Sequence, residues 1–270
     1  MYLGTSHTMH SNPYETARTN KGAPLFIPFV VLGDPDKEQS LATIKLLVQN
    51  GADALELGFP FSDPPADGPV IQAAGTRALA AGIGIDDCFT MLRDIRSFTD
   101  IPIGLLVYYN LVLQRGVEKF YHACEQSGVA SVLIADLPLE HADHAVLAAK
   151  KYGIAPIFLI SELTTNERLE AIAKVAGGYL YVVSYLGVTG ASNVVHGYRM
   201  RGLIERARKY TKLPLCVGFG INTVEQAKAA VTAAADGVIV GSRIVGARGD
   251  SEKIRDICRE MVEAIRLKDI

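Results

Sequence analysis

The 270-residue chain lacks any excess of positive charge, since 27 Lys and Arg residues are balanced by 29 Asp and Glu residues and the formal net charge is -2. Proteins bind a phosphate backbone through clustered basic residues, so this balance argues against a nucleic-acid partner. The chain also lacks an apolar run of the roughly 18 to 20 residues that a membrane span requires. The apolar stretches at 25–33 and 101–113 are shorter, and we expect no membrane insertion.

Cysteine is sparse, and its four positions (88, 124, 216 and 258) contain no close pair of the kind that marks a disulfide framework. The first two dozen residues have no apolar segment typical of a secretory signal. His141 and His144 have no third candidate ligand nearby in the sequence, so we expect no metal site. These features predict a reduced, cytoplasmic protein whose partners are small molecules or other proteins.

What the sequence does contain is a regular alternation of short apolar runs and longer segments of helical period. Eight strands are predicted at 25–33, 52–60, 101–109, 131–137, 155–160, 179–185, 213–218 and 236–240. Helices are predicted at 37–49, 69–81, 86–98, 117–126, 140–151, 166–175, 198–210, 224–233 and 252–265.

Eight buried strands, each followed by a helix, leave no unpaired edge only if the sheet closes on itself. We therefore predict a single α/β domain, a (β/α)₈ TIM barrel over 25–270 with an extra helix after strand 2. A polar segment over 1–24, helix or loop, is expected to cover the barrel. The alternative is a doubly wound sheet, which predicts a glycine-rich fingerprint after strand 1, where this chain reads LGDPDKEQ.

The carboxyl ends of the strands are where barrel enzymes place their active sites. In ALELGFP, alternation directs Leu55 and Leu57 toward the helices and Glu56 toward the barrel interior. Burial raises the pKa of a carboxyl group, which can then both donate and accept a proton near neutral pH. The alternative is a purely structural Glu held by hydroxyls or a lysine, which we disfavour because buried acids are costly.

The loop FPFSDPPADGP, which follows Glu56, carries Asp63 and Asp67. Taken singly, either aspartate is more simply a helix cap or a turn residue. Together with Glu56, a loop carboxylate can converge on a bound substrate, one acid moving a proton while the other stays ionised.

Glycines follow strands 7 and 8, in VGFG and VGS, where barrels frequently bind phosphate. Ordinary glycine turns are the alternative, but two such motifs in the expected units favour a phosphorylated ligand. The loop GVTG after strand 6 is a candidate lid.

The strings LELGFPFSDPPADGPVIQ, PIGLLVYYN, VLIADLP, GVTG, VGFG and DGVIVGS occur in this order, and with them the chain resembles the tryptophan synthase α subunit. The resemblance implies retro-aldol cleavage of indole-3-glycerol phosphate to indole and glyceraldehyde 3-phosphate. It also implies that indole passes to a β subunit in an α2β2 complex. The β subunit is expected to dock over the strand 2 and strand 6 loops of this chain. Pyridoxal phosphate is then expected only in the β partner, with no cofactor in this chain.

Residue by residue, the resemblance places the catalytic glutamate on Glu56, the catalytic aspartate on Asp67 and an active-site tyrosine on Tyr181. It implies phosphate contacts at Gly190, Gly220, Gly241 and Ser242. It implies an apolar wall around the indole at Phe29, Leu106, Tyr108, Leu133 and Ile239.

One position departs from the family pattern, because Tyr185 stands where the family commonly has arginine in the strand 6 loop. This departure predicts slower or more partner-dependent turnover. The alternative function is a catalytically weak subunit that mainly binds and activates the β subunit. A different sugar-phosphate enzyme, such as an isomerase, would want an inward lysine or another arrangement of acids, which the sequence does not suggest.

Overall fold

A closed barrel of eight parallel strands forms the centre of the computed structural model. The structure describes residues 12–183 and 193–266, and for residues 193–198 it describes the backbone alone. Each strand pairs with its neighbours in chain order, and the first pairs with the last. The strands are β1 (Leu25–Val31), β2 (Leu55–Gly58), β3 (Ile103–Val107), β4 (Ser131–Ile134), β5 (Ala155–Ile160), β6 (Leu180–Val183), β7 (Leu215–Gly218) and β8 (Gly237–Val240). The predicted (β/α)₈ barrel is confirmed.

Helices surround the barrel and bury the outer faces of the strands. They are α1 (Pro13–Lys21), α2 (Lys37–Gln49), α3 (Pro69–Ala80), α4 (Ile85–Arg96), α5 (Tyr109–Arg115), α6 (Val117–Gln126), α7 (Asp143–Lys151), α8 (Asn166–Val175), α9 (Asn193–Arg208), α10 (Val224–Thr232), α11 (Ser242–Gly246) and α12 (Ser251–Arg266). The extra helix expected after strand 2 is present, because α3 and α4 both lie between β2 and β3. Within the described ranges, no helix is long and apolar enough to cross a membrane.

Three local predictions were wrong. The strand predicted at 101–109 ends at Val107, and a helix that was not predicted, α5, follows it and buries Val112. The helix predicted from 140 begins as a separate 3₁₀ turn, Leu139–His141, before α7. α9 starts five residues earlier than predicted, at Asn193 rather than at 198. For α7 and α9 apolar periodicity identified the helix but not its first residue, whereas α5 was missed.

The N-terminal helix α1 covers the amino-terminal end of the barrel. The side chain of Asn12 caps the helix by accepting from the Tyr14 N–H, and its Nδ2 donates to the Gly178 carbonyl at 2.6 Å. Tyr14 is fully buried, and its hydroxyl lies 2.6 Å from Ser131 Oγ at the start of β4. Its ring packs edge-on against Tyr179 at 4.9 Å. The barrel floor is therefore filled with side chains rather than open.

Candidate active site

A cavity of about 290 Å³ opens at the carboxyl-terminal end of the barrel. It combines two carboxylates, an apolar wall and a rim of glycines. Its lining is Phe29, Glu56, Asp67, Gly68, Ile71, Leu106, Tyr181, Phe219, Gly220, Ile221, Asn222, Ile239, Gly241 and Ser242. Nine of these residues were predicted from the sequence.

Glu56 lies on the inner face of β2, as the strand alternation predicted, and is only 1% exposed. The hydroxyl of Tyr179 donates to its Oε1 at 2.9 Å. Its Oε2 is buried and has no hydrogen-bond partner among the residues that the structure describes. Burial raises the pKa of Glu56 to about 8, the Tyr179 hydrogen bond partly opposes this, and the charge of Asp67 adds to it. At neutral pH the side chain is therefore mostly protonated, and it can act as an acid.

Tyr179 was missed in the sequence, although it lies two residues before Tyr181 and so shares its inward face. It is the hydroxyl that the purely structural reading of Glu56 required. However, it satisfies only one carboxyl oxygen, while Glu56 also lines the cavity. Packing alone does not account for a buried acid whose second oxygen has no partner in the described part of the chain.

Asp67 reaches the cavity from the loop between β2 and α3. Gln72 in the first turn of α3 donates from Nε2 to the Asp67 carbonyl oxygen at 2.7 Å. Partial burial raises the pKa of the Asp67 carboxyl, and the nearby Tyr108 hydroxyl opposes this by favouring the ionised form. The Asp67–Tyr108 pair does not meet full hydrogen-bond geometry. Asp63 lies in the exposed part of the loop, pairs with Ser62 and does not line the cavity.

Tyr181 stands on β6 on the inner face of the barrel, buried and lining the cavity. Its hydroxyl is hydrogen-bonded to the backbone of Phe219, and the two rings lie 5.2 Å apart. Burial and the charge of Glu56 raise the pKa of Tyr181 well above its ordinary value, so it stays protonated. Gly218 on β7 leaves the space that the Tyr181 ring occupies.

Gly218→Ala is expected to displace Tyr181 and to lower catalytic turnover at least about tenfold while the barrel still folds. A Cβ on Gly218 would lie 2.1 Å from Tyr181 Oη, which is far inside contact distance. Gly202→Ala is the matched control, since beyond the adjoining backbone of α9 no atom of the described residues lies within 4 Å of a Cβ there. Equal turnover of the two variants would show that the position of Tyr181 does not matter.

The glycine rim is formed by the loops after β7 and β8. Phe219 and Gly220 adopt left-handed φ values of 54° and 102°, which turn the backbone sharply at the end of β7. The Gln226 side-chain oxygen accepts from the N–H groups of Asn222 and Thr223, which fixes the loop at the start of α10. Lys and Arg do not occur among the described lining residues, so an anion at this rim would be held by backbone N–H groups and hydroxyls.

The predicted apolar wall is only partly assembled in the structure. Phe29, Leu106 and Ile239 line the cavity. Leu133 does not, because it lies one strand further round the barrel and borders a separate groove with residues of β5 and α8. Tyr108 is buried behind the cavity, where it faces Asp67.

Several expectations from the sequence concern residues that the structure does not describe. Gly190, the lid loop GVTG and Tyr185 lie outside the described residues. Five lining residues went unnoticed as site residues, namely Gly68, Ile71, Phe219, Ile221 and Asn222. Their signal was weak: Phe219 lies between two glycines already singled out, and Ile71 follows Asp67 by one helical turn.

Glu56→Gln is expected to increase the free energy of unfolding at pH 9 by a few kcal/mol, with no gain at pH 4. The folded pKa of about 8 exceeds the ordinary value of 4.5, so the folded wild type retains a proton that the unfolded chain has lost. Wild-type stability therefore falls as the pH rises from about 4.5 to 8. Urea unfolding at both pH values measures this effect, with exposed Glu263→Gln as the control. An equal gain at both pH values would contradict it.

The fold and the cavity define the class of this protein: a TIM-barrel enzyme with acid–base chemistry at the carboxyl ends of its strands. A family model described as tryptophan synthase alpha chain matches residues 16–269. The alpha chain of Methanoregula boonei is 48% identical over 231 residues, which cover 86% of this chain and 87% of that protein. The alpha chain of Photobacterium profundum is 49% identical over 230 residues, which cover 85% of this chain and 84% of that protein.

Solved structures agree with this assignment. Tryptophan synthase of Mycobacterium tuberculosis superposes with a TM-score of 0.86 at 30% identity, covering 96% of this chain and 98% of that one. A chain of the tryptophan synthase complex of Pyrococcus furiosus superposes with a TM-score of 0.78 at 33% identity, covering 90% and 98%. The chain therefore belongs to the tryptophan synthase alpha chain family, the lyases of tryptophan biosynthesis that act with a β subunit.

Proposed function

We propose that Glu56 and Asp67 together carry out the reaction of this family, the cleavage of indole-3-glycerol phosphate to indole and glyceraldehyde 3-phosphate. The observation that carries the proposal is a buried carboxyl with a pKa of about 8 in the same cavity as a second, more exposed carboxylate. Two acids in different environments can divide the acid and base roles of one reaction.

In the first step, protonated Glu56 donates its proton to C3 of the indole while Asp67 accepts the proton from N1. The indole ring becomes its indolenine tautomer, in which the bond from C3 to the glycerol chain is ready to break. In the second step, ionised Glu56 takes the proton of the hydroxyl on the adjacent carbon. The C–C bond breaks, the aldehyde forms, and Asp67 returns the proton to N1. Both acids recover their initial states, so the step consumes no co-reactant.

The pKa values suit this order of events. Because Glu56 is mostly protonated at neutral pH, it is ready to donate first. Partial burial also raises the pKa of Asp67, but Asp67 is less buried than Glu56, and the Tyr108 hydroxyl beside it favours the ionised form. Tyr181 closes the side of the cavity near Glu56 and contributes a neutral hydroxyl there.

The rest of the cavity suits the two ends of the substrate. Phe29, Leu106 and Ile239 provide apolar surface for a flat indole ring. Gly220, Gly241 and Ser242 provide backbone N–H groups and a hydroxyl at the rim for the phosphate. We assign Gly190 and Leu133 supporting roles only on the basis of the family resemblance.

The partner of this chain is a β subunit that receives indole, and we propose that the two assemble as α2β2 in the cytoplasm. The reaction written above uses only protein side chains. We assign pyridoxal phosphate to the β subunit and no cofactor to this chain.

The decisive experiment incubates the purified chain with indole-3-glycerol phosphate, alone and with a β subunit, and measures both indole and glyceraldehyde 3-phosphate. We expect the two products in equal amounts, with faster release when the partner is present. If neither product forms while the β subunit's own rate rises, the chain is an activating subunit instead. In that case Tyr185 becomes the first residue to replace, with arginine.

A further inference from the structure

The turn after β1, which reads LGDPD, takes no part in the chemistry described above, yet it holds a buried acid. Asp34 is 9% exposed and accepts two hydrogen bonds from Arg77 of α3. Arg77 Nε lies 2.7 Å from Oδ1, and Nη2 lies 2.9 Å from Oδ2. This forked geometry fixes both distance and orientation, unlike a single contact between point charges.

The same turn makes a second contact, with the residues that follow the carboxyl-terminal end of α3. Gly33 has a left-handed φ of 80°, and a Cβ there would lie 2.5 Å from the Ile83 side chain, just beyond α3. The Gly33 N–H also donates to Ser40 Oγ in α2 at 3.0 Å. The turn is therefore held against α2 on one side and against α3 and its exit on the other.

Helix α3 begins two residues after Asp67 and carries part of the cavity wall. Gly68 precedes it without a side-chain cap, and Ile71 lines the cavity one turn later. The Gln72 side chain donates a hydrogen bond to the Asp67 carbonyl oxygen, so the backbone of Asp67 moves with the helix. Arg77 lies about 12 Å along the helix axis from Pro69, the first residue of α3. A helix this short moves as a rigid unit, so fixing it at Arg77 also fixes the end that bears Asp67.

The loop that precedes Asp67 offers little support of its own. At its start, Phe61 stacks on Tyr108 with the ring centroids 5.2 Å apart. Beyond Phe61, the residues at 62, 63, 65 and 66 are exposed. The hydrogen bonds within this stretch are local, from Ser62 to Asp63 and from the Asp67 N–H to the Pro64 carbonyl at 3.4 Å. From outside the loop, the Tyr108 hydroxyl faces the Asp67 carboxyl and the backbone of Ala66. The position of Asp67 therefore depends on α3 more than on the loop.

We propose that the Asp34–Arg77 ion pair is a positioning device for the catalytic aspartate, which holds α3 so that the Asp67 carboxylate points into the cavity. The inference rests on the function proposed above for Asp67. It assigns a role to Asp34 and Arg77 that does not require either residue to touch the substrate.

The test replaces each partner and then both, as Asp34→Asn, Arg77→Met and the double variant, and measures indole release in the presence of the β subunit. We expect kcat to fall about 10-fold or more in each single variant, and the double variant to be no worse than the more damaged single one. KM should change less than about 2-fold, because the glycine rim proposed to bind the phosphate is formed by the loops after β7 and β8, away from α3. Arg77→Lys keeps the charge but loses the fork, and should recover only part of the kcat.

Arg208→Met is the matched control, because Arg208 also pairs with a largely buried aspartate, Asp236, but at the amino-terminal end of the barrel. It should lower the melting temperature without changing kcat. If Arg77→Met behaves like this control, with reduced stability but normal kcat in the folded enzyme, the pair is merely structural and the proposal is wrong.

Hydrogen exchange separates this proposal from the assignment of Asp67 itself. In the chain without substrate, the amides of residues 61–72 should exchange faster in Arg77→Met than in wild type or Arg208→Met. Faster exchange together with an active Asp67→Asn enzyme would leave the pair as an anchor of α3 but would overturn the role of Asp67. Unchanged exchange would overturn the anchor, whatever the catalytic result.

Discussion

Glu56→Gln is expected to reduce the rate of indole release about 10³-fold, within the range that a single general acid–base group contributes. At neutral pH the wild-type carboxyl is mostly protonated and neutral, so the neutral amide preserves its shape and charge state in the resting enzyme. What the amide cannot do is donate a proton to C3 or accept one from the hydroxyl. The loss should therefore appear in kcat, with KM nearly unchanged.

Tyr179→Phe is the informative comparison for Glu56→Gln. It removes the hydrogen bond to Oε1 but leaves the carboxyl in place. Because that hydrogen bond lowers the pKa of Glu56, its loss should raise the pKa further and reduce kcat only modestly. If Glu56→Gln retains kcat within about 10-fold of wild type, Glu56 is not the proton shuttle.

Asp67→Asn is expected to reduce kcat about 10²-fold. Asparagine has nearly the same size as aspartate but cannot accept the N1 proton, so the C3-protonated ring is not neutralised. Asp63→Asn is the matched control, because Asp63 lies four residues earlier in the same loop and does not line the cavity. Rates measured at saturating substrate should separate the two variants. Equal, small losses in both would mean that loop charge, rather than a base at N1, is what matters.

Much of the architecture could be predicted because each strand is short, apolar and followed by an amphipathic helix. Strand alternation was sufficient to place Glu56 inside the barrel, since a strand buried on both faces leaves only two directions for a side chain. It could not reveal Tyr179 as the donor to Glu56, because that contact joins β2 and β6 across the barrel. Contacts of this kind depend on the closure of the sheet and not on local pattern.

Leu133 is a residue that the sequence placed in the cavity wall but that does not line the cavity in the structure. The family resemblance placed it in the apolar wall, and it lies in register beside Leu106. Leu106 reaches the cavity and Leu133 does not, because the described lining comes from β1, β2, β3, β6, β7, β8 and the loops that follow them, and not from β4 or β5. The lateral position of a cavity in a barrel depends on the sizes of all the side chains that fill it. The ion pair between Asp34 and Arg77 was likewise hidden, since its partners are 43 residues apart.

The most direct test of the account is to titrate the Glu56 carboxyl itself. The chain labelled with ¹³C at glutamate side chains can be followed by NMR across pH 4 to 10, with Glu56→Gln used to assign the signal. The account predicts one buried carboxyl that titrates near pH 8 and a rise in that value in Tyr179→Phe. A Glu56 carboxyl that titrates near the ordinary value of 4.5 would be ionised at neutral pH, and it could not serve as the acid that starts the reaction.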